Sequence, residues 1–257
     1  MANQIARGSN PALSAKIFEK EAQSGIVSSG TMSVQGVINK TLVIFALLIL
    51  GAYYTWSKFF GAADVQTASA AVYPWMIGGA IGGFVVAMVN AFVPKWSAYL
   101  TPVYAILEGL FLGAISAYFN MMYPGIVAQA VGLTFATFFG MLFLYKARII
   151  RVTDKFRSII FGATMGIAIF YFLSFILGMF GINVGLIESS SALGIGFSLF
   201  VVGIAAFNLL LDFDFIERAS SMGAPKYMEW YAAFGLMVTL VWLYIEILRL
   251  LSKLNER

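Results

Sequence analysis

The chain alternates long uncharged apolar runs with short charged segments. Thr41 to Ser57 carries no charge and continues to about Phe60. The second run is Val72 to Val93, and the third, Tyr99 to Asn120, is interrupted only by Glu108. Met121 to Gly125 reads as a turn, because Pro124 and Gly125 together break a helix. Ile126 to Tyr145, Ser158 to Phe180 and Ser191 to Leu211 follow, and Trp230 to Leu251 is interrupted by Glu246 and Arg249. A helix crossing about 30 Å of hydrocarbon needs roughly 20 apolar residues, so the pattern predicts seven membrane-spanning helices. The third and fourth are the hardest to separate, since residues 109–145 hold no charge.

Composition narrows the class further. Hydrophobic residues make up 61% of 257 and charged residues 11%. Soluble domains run about 45–50% apolar and about 25% charged, so a water-soluble enzyme is excluded and an all-α polytopic membrane protein remains. Residues 1–36 are polar and Ser/Gly-rich, with a weakly amphipathic stretch at Pro11 to Ala22 that predicts one short surface helix. They lack the early apolar run and small-residue cleavage site of a signal peptide, and read as a cytoplasmic tail ahead of a seven-helix domain at 37–257. With the N-terminus inside, twelve of the sixteen Lys and Arg fall in inside segments, leaving Lys58, Arg249, Lys253 and Arg257 outside. This follows the positive-inside rule. The net charge of +4 therefore reflects topology, and nucleic acid is not an expected partner. The expected surroundings are a lipid bilayer, in a bacterial inner membrane. Trp56, Tyr73, Trp75, Trp96, Tyr145, Trp230 and Tyr231 fall where interfacial aromatic belts are expected.

Glycines recur at four-residue spacing as Gly78/Gly82, Gly79/Gly83, Gly109/Gly113 and Gly162/Gly166. Such pairs let helix backbones approach closely, and packing within the chain is the expected use. Zero cysteines and zero histidines remove thiolate chemistry, His-based triads, the usual zinc sites and the side chain that titrates near neutral pH. No nucleophile–base pair, phosphate loop or dinucleotide fingerprint occurs, so no enzymatic activity and no cofactor are expected.

Ionisable residues inside a span are costly and mark candidate sites. Four acids qualify. Glu108 lies near the middle of span three on a face with Thr101, Tyr104 and Ser116, a polar stripe that should face inward. Asp212 and Asp214 end span six, where negative charge opposes the helix macrodipole. Asp214 has Arg218 four residues on, and Asp212 shares its face with Asn208 and Ile216. Glu246 has Arg249 at i+3 on its own helix.

Asn208 to Glu217 (NLLLDFDFIE), Glu229 to Leu251 (EWYAAFGLMVTLVWLYIEILRLL) and Tyr104 to Ser116 (YAILEGLFLGAIS) resemble the transmembrane Bax inhibitor motif family, best its bacterial YccA-like branch. The resemblance implies two layers of three helices around a central seventh helix, and a pH-sensitive calcium leak across the membrane. It implies that Asp212, in the place of the family's YDTQ-like acid, pairs with Glu246, in the place of its LYLDF-like acid. Paired carboxylates in a low-dielectric site share a proton, and when deprotonated they offer hard oxygen ligands suited to calcium. The expected gate is thus Asp212 with Glu246 or Asp214, with Asp212 and Glu246 as metal ligands, Glu108 lining the path, and calcium as the transported ion. If span six ends near Glu217 and span seven starts near Lys226, Glu246 lies about 22 Å deeper than Asp212. Either Lys226 to Gly235 is an interfacial segment, or Asp212 has another partner. Two other functions fit the same acids: a proton-coupled secondary transporter, and a regulatory protein that binds a membrane protease or another integral partner.

Overall fold

The structure is a computed structural model and describes residues 30–182 and 184–256. Among these, seven helices are long and apolar enough to cross a membrane. They are α1 (Val34–Phe60), α2 (Val65–Phe92), α3 (Ser97–Met122), α4 (Ile126–Lys146), α5 (Asp154–Met179), α6 (Ala192–Ser221) and α7 (Met228–Asn255). A 3-10 turn at Pro94–Trp96 joins α2 to α3, and a one-turn helix at Gly185–Glu188 precedes α6. Each predicted span falls on its own helix. The predicted helix at Pro11 to Ala22 lies outside the described residues.

Polar caps move several boundaries beyond the apolar runs. Ser33 accepts from the Gly36 N–H, so α1 starts at Val34 and the tail ends three residues earlier than expected. Asp64 accepts from the Thr67 N–H and starts α2 at Val65 rather than Val72. Thr153 caps α5 in the same way. Such caps satisfy N–H groups that the first turn leaves without partners. Helix α6 continues to Ser221, so Asp212 and Asp214 lie within it rather than at its end.

The described chain divides into two compact units, one of residues 30–124 and 216–237, the other of 125–215 and 238–256. In the first, α3 packs against both α1 and α2, and glycine makes this possible. A Cβ on Gly51 would lie 2.6 Å from the Ile106 carbonyl oxygen, and one on Gly79 would lie 2.6 Å from that of Leu107. Gly109 and Gly113 meet the Leu48 and Ala52 backbone at closer range still. Buried polar groups here are joined to one another: Ser97 Oγ donates to Asn90 Oδ1 (2.7 Å), and Asn90 Nδ2 donates to Thr101 Oγ1 (3.2 Å). A bilayer offers no water to do this instead.

The second unit has a core of Ile160, Ile167, Val201, Ile204 and Leu211, with Phe207 and Trp242 packed on it. Here one expectation fails. A Cβ at Gly162 or Gly166 would meet nothing within 4 Å, so this pair faces open space; spacing shows that a face is small, not that a neighbour meets it. Burial separates the helices sharply, at 67% of the apolar window in α7 and 11% in α5. Phe172, Phe175 and Phe180 are among the exposed side chains, as expected of a lipid-facing surface.

Candidate functional site

Glu246 is 1% exposed and fully engaged. Arg249 Nη1 donates to both of its oxygens at 3.0 Å, Tyr171 O–H lies 3.1 Å from both, and Trp242 Nε1 donates at 3.3 Å. Arg249 also donates to the Tyr171 oxygen at 2.9 Å and sits over its ring. The i+3 pairing read from sequence is present, and α5 adds the tyrosine.

Asp214 is held by Arg157, whose other nitrogen donates to Asp154 Oδ1 at 3.0 Å. Arg157 is 6% exposed and lies one turn into α5. It therefore ties the start of α5 to α6.

Asp212 is 1% exposed, among the buried Leu209, Leu210, Leu211 and Phe213. One turn earlier, Asn208 Nδ2 donates to Thr164 Oγ1 of α5 (2.9 Å) and to the Ile204 carbonyl (2.8 Å). No hydrogen bond joins Asp212 to Glu246, whose carboxylate is taken up by Arg249, Tyr171 and Trp242. Helix α7 begins at Met228, and Tyr231 is fully buried, so it is not a lipid-facing belt residue. Among the described residues, no group of three or more acidic side chains is assembled that could hold a metal ion.

Glu108 is half-buried on α3 and hydrogen-bonded to Tyr104 one turn before it. Its stripe faces inward as expected, with Thr101, Tyr104 and Ser116 all buried. Gly83 of α2 makes room for its carboxylate: a Cβ there would lie 3.1 Å from Oε2.

Two charged sites were missed by the sequence reading. Glu229, 1% exposed, accepts from Lys40 Nζ (2.6 Å), Ser33 N–H (3.0 Å) and Ser33 Oγ (3.1 Å). Gly36 is what admits it, since a Cβ there would overlap the carboxylate. The Met32 N–H also donates to the Ala224 carbonyl (2.7 Å), and Ser220 Oγ donates to that of Met32 (3.2 Å). The available signal was Lys40, seven residues after Ser33 and so on the same face of α1. The second missed group is Lys253, 2% exposed and bound to the start of α6. Lys253 and Arg249 are thus internal ties rather than loop charges.

Seven apolar helices with buried carboxylates define a polytopic membrane protein with polar chemistry in its interior. A sequence model of the family described as Bax inhibitor 1 like matches residues 10–256, and the chain belongs to that family. No curated protein and no solved structure matches it significantly.

Proposed function

We propose that the protein is a pH-sensitive cation leak, with calcium as the transported ion, in which Asp212 carries the proton sensing. The observation behind this is the placing of the intramembrane acids. Asp214 and Glu246 each have an arginine (Arg157, Arg249) as a direct partner, which supports anchoring roles for these two. Asp212 is buried on α6, one turn from the Asn208 amide that links α6 to α5. Charging a carboxyl at such a position is expensive in a membrane, so gain or loss of its proton changes how these helices hold together. Glu108, half-buried on its inward stripe, lines the path. The N-terminus lies on the cytoplasmic side of a bacterial inner membrane. Removing Lys253 and Arg249 from the loop charges sharpens the Lys/Arg bias that supports this orientation. The protein has no catalytic role in this scheme.

The test is reconstitution in liposomes loaded with a calcium dye, with pH varied outside. A leak that changes with pH, and a much weaker pH response in Asp212→Asn, are expected. No leak at any pH, or an unaltered leak in the variant, refutes the proposal.

One observation favours a regulatory role as well. Residues 31–33 are clamped beside the α6–α7 turn by Met32, Ser33 and Glu229, so the tail leaves from a fixed point where an integral partner could read it. Deleting residues 1–29 with flux intact, and loss of a membrane-protein partner, would favour that role.

A further inference from the structure

The last turn of α7 carries a buried cation with no part in the proposed leak. A lysine near a helix C-terminus usually snorkels to water or turns to its own carbonyls. Lys253 instead reaches away from its helix: its Nζ donates to Ser198 Oγ at 2.9 Å, the Gly194 carbonyl at 3.1 Å and the Leu186 carbonyl at 3.4 Å. Lys253 is 2% exposed and Ser198 1%, so water does not reach the amine freely.

Local sequence builds this cradle. The turn at Gly185–Glu188 closes with the Ser189 N–H donating to the Gly185 carbonyl (2.8 Å). Ser191 starts α6, accepting at Oγ from the Gly194 N–H (3.3 Å) and at its carbonyl from the Ile195 N–H (2.9 Å). Gly194 is the enabling residue, because a Cβ there would overlap the Ser189 carbonyl. Without one, the turn closes on the first turn of α6, and two carbonyls and a hydroxyl converge on a single point.

Among the described residues, the oxygens that Lys253 bonds are three neutral ones and no carboxylate, the donor set of a weakly hydrated monovalent cation. Calcium and magnesium sites draw on carboxylates. Ammonium and potassium ions are close in size, so an oxygen cradle fitted to a lysine head is fitted to potassium too. We propose that this cradle is a monovalent-cation site of ammonium or potassium size, kept filled by the chain's own Lys253, which acts as a tethered ion and shuts free cations out of this end of the α6–α7 pair. Its geometry is local and does not rest on the calcium leak.

The test is chemical rescue of Lys253→Ala, purified in detergent. Removing the amine leaves buried oxygens unsatisfied, and the melting temperature in choline chloride is expected to fall by about 5 °C. Replacing choline with potassium or ammonium at equal ionic strength should recover at least half of that loss, whereas lithium should not, and the wild type should not respond to the exchange. Adding Ser198→Ala removes one oxygen and should weaken the recovery. An equal loss in choline, lithium, potassium and ammonium would overturn the proposal and leave Lys253 as a structural tie only. Should Lys253→Ala not survive purification, Lys253→Ser is measured in the same salts and judged by the same two results.

Discussion

Glu229 and Glu246 are the same residue type on the same helix, each 1% exposed and each paired with a base. Their work differs. Glu246 is answered by Arg249, three residues on, whose side chain is 31% exposed. Glu229 is answered by Lys40, 189 residues away, and it also takes the Ser33 N–H and hydroxyl at the cap of α1. Loss of Glu246 leaves Arg249 its bond to the Tyr171 oxygen. Loss of Glu229 takes the acceptor from Lys40 and from the Ser33 N–H and hydroxyl together, and loosens the start of a helix. Equal burial therefore does not mean equal consequence; what matters is how much else the carboxylate holds.

Substitutions can break that contrast. Glu229→Ala is expected to cost most, about 3 kcal/mol, because it removes the shared acceptor of Lys40 and of the Ser33 N–H and hydroxyl; the melting temperature in detergent reads this. Gly36→Ala should cost about 2 kcal/mol by pushing a methyl into the carboxylate's space, and combined with Glu229→Ala it should add much less than its single-variant cost, because both act on one contact. Glu246→Gln should cost only about 1 kcal/mol, since glutamine keeps an acceptor oxygen and Arg249 keeps its bond to Tyr171. A Glu246→Gln loss as large as that of Glu229→Ala would erase the distinction.

The smallest effect is an acid one, at a carboxylate outside the spans. The Thr67 N–H, and then its hydroxyl, bond to Asp64 and hold its pKa below the usual value of 3.8. A carboxylate with a lowered folded-state pKa contributes stability that is present above its unfolded value and lost as pH falls through the folded one. A small drop in melting temperature below about pH 4 is expected in the wild type, and Asp64→Asn, which keeps a capping oxygen, should lack it.

What the sequence revealed and what it hid divide along contact range. The spans were legible because charges interrupt them, and the stripe of Thr101, Tyr104 and Ser116 because helical periodicity puts those residues on one face. The pairing of Glu246 with Arg249 was legible because one helical turn joins them. Lys40 with Glu229, and Arg157 with Asp214, are brought together by folding across 189 and 57 residues, and no local periodicity encodes that. Lys253 was misread for a related reason: a basic residue in a last turn is what both topology and the macrodipole favour, and only the fold of Gly185 to Ser198 around it turns it inward. Glycine spacing was correct at Gly109/Gly113, where Leu48 and Ala52 meet it, and uninformative at Gly162/Gly166.

The central claim is that Asp212 senses protons while Glu246 anchors a side-chain network. The most direct measurement is calcium flux into liposomes as a function of pH for Asp212→Asn set against Glu246→Gln. The expected result is a flattened pH profile in Asp212→Asn and a profile of unchanged shape, at whatever amplitude, in Glu246→Gln. A profile that survives intact in Asp212→Asn, or that flattens only in Glu246→Gln, would contradict the account.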